Sequence, residues 1–86
     1  NYALITGASS GIGRAFTEIF AKEGINLVLV ARSIDTLRSI QSHLQDTYHI
    51  DVQILEKDLT KPESAEEVFE YTSSNDLEVS YLVNNA

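Results

Sequence analysis

Four short apolar segments recur about every 25 residues along the chain: Tyr2–Thr6, Asn26–Ala31, Val52–Glu56 and Val79–Asn84. Each has strand length, and the intervals between them carry helical periodicity. Ile12, Ala15, Phe16, Ile19 and Phe20 fall on one helical stripe, with Gly24 placed to end that helix. Leu37, Ile40, Leu44 and then Thr47 or Tyr48 mark a second helix, for which Ser33 or Asp35 can serve as cap. A third is expected from about Thr60, where Thr60 and Glu63 fit a capping box and Pro62 suits the first turn. Ala65, Val68, Phe69 and Thr72 are its expected inward face, and Glu63, Glu66, Glu67 and Glu70 read as a solvated one. Strict alternation of strand and helix forces parallel strands with right-handed crossovers. The expected fold is therefore α/β, the first half of a doubly wound parallel sheet in the order 3-2-1-4.

The turn after the first strand is the chemically informative one. It reads Thr6-Gly7-Ala8-Ser9-Ser10-Gly11-Ile12-Gly13 and leads directly into the first helix. Gly7 permits a tight turn, Gly11 lets backbone approach an anion, and Gly13 lets the helix pack close to the strand. Free amides at the helix start then hold phosphate. Such local capture matters here, because 6 basic against 13 acidic residues leave a net charge of −7. That balance argues against a nucleic-acid or anionic-membrane surface, which requires clustered Lys and Arg.

The spacing separates this turn from other phosphate loops. A P-loop would continue with Gly-Lys-Ser/Thr, whereas Ile12, Gly13 and Arg14 stand there. The common G-x-G-x-x-G pattern would need Gly where Ser9 stands, so the motif is G-x-x-x-G-x-G. A receiver-type domain would want acids at the end of the first strand, where Thr6 and Gly7 lie.

Cofactor choice turns on the end of the second strand. An NAD site places Asp or Glu there to accept from the ribose 2′-hydroxyl. Here Ala31 is followed by Arg32, which can pair with a 2′-phosphate, and Ser33 and Ser9 can add hydroxyl contacts. The chemistry favours NADP, with an ordinary surface arginine as the alternative reading of Arg32.

The TGASSGIG turn, Asp58-Leu59 after the third strand and Asn84-Asn85-Ala86 after the fourth resemble the amino-terminal half of a short-chain dehydrogenase/reductase. The resemblance covers essentially the whole chain and implies a Rossmann-type cofactor domain over residues 1–86. It implies that Ser9, Ser10 and the backbone around Ile12 contact cofactor phosphates and ribose. It further implies that Asp58, beside Leu59, bonds the adenine amino group, and that Asn84 to Ala86 support the sheet next to the cofactor. The implied activity is hydride transfer between NADP and a small-molecule carbonyl or alcohol, by an enzyme that assembles as a homo-oligomer.

That family's Tyr-x-x-x-Lys pair is not found: Thr6, Val52, Asn75 and Asn85 stand four residues beyond Tyr2, Tyr48, Tyr71 and Tyr81. No catalytic residue is nominated, and the tyrosines read as packing or strand-edge residues. His43 and His49 read as solvated. The chain contains no Met and opens on Asn1 and Tyr2 just ahead of an apolar run, so the expectation is a piece of a larger protein, cut at both ends. The alternative is a stand-alone or degenerate nucleotide-binding module without catalysis. With no cysteine there is no disulfide or thiolate chemistry, and cytoplasm is the default compartment. The longest strictly apolar run, residues 27–31, is far short of the roughly 18 residues of a spanning helix.

Overall fold

The computed structural model describes residues 1–85; Ala86 lies outside the described residues. Its elements are β1 (Tyr2–Thr6), α1 (Gly11–Lys22), β2 (Asn26–Ala31), α2 (Ile34–Tyr48), β3 (Val52–Glu56), α3 (Pro62–Ser74) and β4 (Val79–Asn84). The four strands occupy the spans expected from the apolar segments. They form one parallel sheet in the order β3-β2-β1-β4, as the alternation requires. β1 sits centrally, pairing Ile5 with Leu29 on one side and with Val83 on the other.

Strand alternation divides the sheet into two faces. Ala3, Ile5, Leu27, Leu29 and Val52 join Leu37, Ile40 and Leu44 of α2 in one buried cluster that also takes Ala21 of α1. Leu4 and Thr6 point to the opposite face, under α3. Helices thus cover both faces, α1 and α2 on one and α3 on the other. α2 is built as its periodicity indicates: Ser33 is its N-cap, and Leu37, Ile40 and Leu44 are its buried row. α1 ends through Glu23 and Gly24, whose φ of 76° is the left-handed conformation expected after a helix.

The orientation of α1 corrects the stripe read from the sequence. Its buried residues are Gly13, Thr17 and Ala21, whereas Ile12, Phe16 and Ile19 are exposed. Ala15 is exposed too, and only Phe20 of that stripe packs against the core. The cause is the close approach of helix to sheet, which admits a row of small residues and turns the large ones aside. Thr17 satisfies its hydroxyl in this tight seam by donating to the Gly13 carbonyl at 2.9 Å. Phe20, at the flank, meets the Tyr81 ring at a centroid distance of 5.3 Å.

α3 departs from expectation in part, with Val68 and Thr72 inward as expected. Ser64, Val68 and Thr72 form its buried row, while Ala65 and Phe69 are exposed. The capping box does not form: the N-cap is Lys61, without a side-chain cap, and Pro62 occupies the first turn as expected. Asp58 has instead captured Thr60, accepting from its amide at 3.0 Å and from its hydroxyl at 2.6 Å. Ser64 then donates to the Asp58 carbonyl at 2.6 Å, which rotates this small residue toward the sheet. The glutamate face is solvated as expected, with Glu67 pairing to Lys57 at 3.4 Å. A polar chain fastens the far end of α3: Tyr71 donates to Gln53 at 2.5 Å, and Gln53 and Tyr2 both donate to the Asp51 carboxylate.

Candidate functional site

The carboxyl ends of β1, β2 and β3 open onto one side of the sheet, where parallel α/β folds place their ligands. At the end of β1 the chain turns sharply through Gly7, whose φ is 61°. A side chain there would be strained, and its Cβ would collide with the Asn85 carbonyl. Gly13 is equally constrained, since a Cβ would run into the carbonyl of Gly7. Gly11 differs: a Cβ there would meet nothing within 4 Å. No contact within the described protein demands glycine at position 11, and the open space lies at the first residue of α1.

Ser10 is the N-cap of α1, yet it makes no side-chain cap. Its hydroxyl donates instead to Gly7 O at 2.8 Å, inside the turn. The first turn of α1 also carries no acidic residue. The amide-rich, positive end of the helix is therefore left without a protein anion. The turn is braced from β4 by Asn85, which donates through Nδ2 to Ser10 Oγ at 2.9 Å and to Gly7 O at 3.4 Å. Its backbone amide donates to Thr6 Oγ1 at 2.9 Å, and Thr6 in turn donates to Asn84 Oδ1 at 3.1 Å.

A cavity of about 460 Å³ lies between this turn and the segments after β2 and β3. It gathers Gly7, Ser9, Ser10, Arg32, Ser33, Asp58 and Leu59 from the residues singled out in the sequence. Gly11, Ile12 and Gly13 stand beside it on the first turn of α1, and the Ile12 side chain is 67% exposed. Asn84 lines a different, largely apolar space of about 700 Å³ between α3 and the sheet. The Ala86 position falls outside the described residues. Lys57, Thr60 and Asn85 also line the first cavity; from the sequence Thr60 reads only as a helix cap, Asn85 only as part of the Asn-Asn-Ala segment, and Lys57 has no role. Asn85 was legible as part of the Asn-Asn-Ala ending, but strand alternation decides which asparagine turns toward the glycine turn.

The charges at this mouth are specific. Thr60, through hydroxyl and amide, holds the Asp58 carboxyl below its usual value of 3.8; burial opposes the shift, and the Arg32 and Lys61 charges add to it. Asp58 is thus fixed as an anionic acceptor. Arg32 and Lys57 bring positive charge to the same space, in a chain whose net charge is −7. The set combines free helix amides for an anion, an exposed guanidinium and a carboxylate acceptor, as an extended molecule with phosphates and a heterocyclic amine requires. No group of His, Cys, Asp and Glu among the described residues is placed to hold a metal ion, and no helix is long and apolar enough to cross a membrane.

A family model described as short chain dehydrogenase matches residues 1–86. A 7beta-hydroxysteroid dehydrogenase from Mediterraneibacter gnavus is 36% identical over 76 residues, covering 88% of this chain and 29% of that protein. The crystal structure of L-sorbose reductase from Gluconobacter frateurii, complexed with NADPH and L-sorbose, matches with a TM-score of 0.93 at 42% identity. That match covers 99% of this chain and 32% of the reductase. A short-chain dehydrogenase from Sphingobium yanoikuyae in complex with NADPH matches with a TM-score of 0.88 at 42% identity, over 99% of this chain and 33% of its own. The chain spans about a third or less of these relatives. Its match to the family model runs from the first residue to the last, and the chain belongs to the short-chain dehydrogenase family of oxidoreductases.

Proposed function

We propose that residues 1–86 form the dinucleotide-binding domain of an NADP-dependent oxidoreductase acting on a small-molecule carbonyl or alcohol. The observation that carries this reading is one cavity shared by an uncapped helix start on one side and Arg32 with Ser33 on the other. In this reading the amides of Gly11 to Gly13 and the hydroxyls of Ser9 and Ser10 hold the pyrophosphate. Gly11 leaves room for it, and Gly7 and Gly13 keep the turn against α1. Arg32, with Ser33, binds the 2′-phosphate, and Ala31 leaves the end of β2 without the acid that an NAD site uses. Asp58, held anionic, accepts from the adenine amino group beside Leu59. Asn84 and Asn85 brace the end of β1 and the glycine turn on the nicotinamide side.

NADPH, when bound, supplies the hydride. The task of these residues is to bind and orient it, and none of them is assigned a catalytic role. The NADPH complexes of the sorbose reductase and the Sphingobium dehydrogenase support the cofactor assignment. Calorimetric titration of the intact protein with NADPH and with NADH tests it. Saturable NADPH binding with markedly weaker NADH is the expected result; no binding of either, or a preference for NADH, would overturn it.

A further inference from the structure

Glu56 is the last residue of β3, in register with Ala31 at the end of β2. By strand alternation its side chain lies on the face of Val52 and Ile54, the face that carries α2. There Glu56 Oε2 accepts from the amide of Ile34 at 3.3 Å. Ile34 opens α2, two residues after Arg32 and next to the Ser33 cap. The start of α2 therefore has two protein acceptors, the Ser33 hydroxyl on Thr36 at 3.4 Å and the Glu56 carboxylate on Ile34. The second is a full negative charge brought from a neighbouring strand. Its placement is favourable in the free protein, because a helix start stabilises an anion. A second anion arriving beside it, at Arg32 and Ser33, meets a like charge and an amide already in use.

We propose that Glu56 is a specificity-determining residue: a resident anion at the start of α2 that competes with a 2′-phosphate for the Ile34 amide, two residues beyond Arg32, and so limits the preference for NADP(H) over NAD(H). This rests on the assignment of the 2′-phosphate to Arg32 and Ser33. The competing charge is local. Asp35 shares the first turn of α2, but Glu56 holds the amide itself. Discrimination at this site then reflects the Glu56 carboxylate set beside Arg32, Lys57 and Asp58, not the arginine alone.

The test is Glu56→Gln, which keeps an oxygen to accept from Ile34 while removing the charge. The probes are 2′,5′-ADP and 5′-AMP, which differ only in the 2′-phosphate, titrated calorimetrically into the intact protein. The expected result is 2′,5′-ADP binding about threefold to tenfold tighter, the scale of a partly screened charge pair, with 5′-AMP changed by less than about twofold. Unchanged or weaker 2′,5′-ADP binding, or equal tightening of both probes, in a variant that circular dichroism shows to be folded would overturn the proposal. Arg32→Ala, measured in parallel, separates the two assignments. Loss of 2′-phosphate preference in Arg32→Ala with no effect of Glu56→Gln removes only the role of Glu56. No effect of Arg32→Ala on the ratio of the two affinities removes the parent assignment as well.

Discussion

Asn85, just beyond β4, donates from Nδ2 to the hydroxyl of Ser10 at 2.9 Å, joining the end of one strand to the cap of the helix that follows another. The same amide group reaches Gly7 O at 3.4 Å, so the glycine turn is shaped by a residue 78 positions away in sequence. Asn85→Ala removes these side-chain donors and keeps the backbone bond to Thr6. It should lower stability by about 1–2 kcal/mol in denaturant unfolding. It should also weaken NADPH and NADH alike, because Asn85 acts on the turn that holds the part common to both. A loss confined to one cofactor would contradict that role.

Gly11 and Gly13 separate ligand space from packing. Gly11→Ala puts a methyl group into open space at the start of a helix, so folding stability should stay level or rise by up to about 1 kcal/mol. Dinucleotide affinity should nevertheless fall about tenfold or more, since the backbone can no longer approach the pyrophosphate closely. Gly13→Val drives a side chain into the Gly7 carbonyl and should abolish binding of both cofactors together with much of the stability. Thermal unfolding and calorimetry on the pair check this. Full affinity in Gly11→Ala would remove the pyrophosphate from this turn.

The architecture was legible because four apolar runs at βα spacing leave little choice of topology, and because a glycine turn between strand and helix has few other uses. The face of α1 was not, and that of α3 only in part: Val68 and Thr72 are buried as expected, whereas Ala65 and Phe69 are exposed. An apolar stripe such as Ile12, Phe16 and Ile19 marks a surface that is costly to hydrate, whereas the contact with the sheet is made by the small row Gly13, Thr17 and Ala21. Hydrophobic periodicity does not register Gly or Thr, so the tight seam is invisible to it. The start of α3 failed for a different reason. Thr60 and Glu63 match a capping box, but Asp58, two residues upstream, is a stronger competitor for the Thr60 amide. In the site, the chemical types at Arg32 and Asp58 were readable, while the contacts of Glu56 and Asn85 depend on strands distant in sequence.

Tyr2 provides an alkaline test of how α3 is fastened. Its phenol is raised from 10.0 to about 12, first by the hydrogen bond to Asp51, then by burial, with the charges of Asp51 and Tyr71 adding. A raised value means that the neutral phenol is favoured in the folded state. Its stabilising effect is complete below pH 10.0 and is lost as pH rises from there through about 12. Tyr2→Phe should cost about 1–2 kcal/mol near neutral pH and flatten this part of the alkaline decline, as read by denaturant unfolding across the window. Parallel declines in the variant and the parent protein would assign the alkaline loss to other groups.

The most direct measurement is the affinity of the intact protein and of Arg32→Ala for NADPH and NADH, by calorimetry under identical salt. The account predicts that the substitution weakens NADPH by about 1.5–3 kcal/mol, the scale of a hydrogen bond to a charged group, and leaves NADH nearly unchanged. Equal losses for the two cofactors, or no loss for NADPH, would contradict recognition of the 2′-phosphate by Arg32 and with it the assignment of NADP.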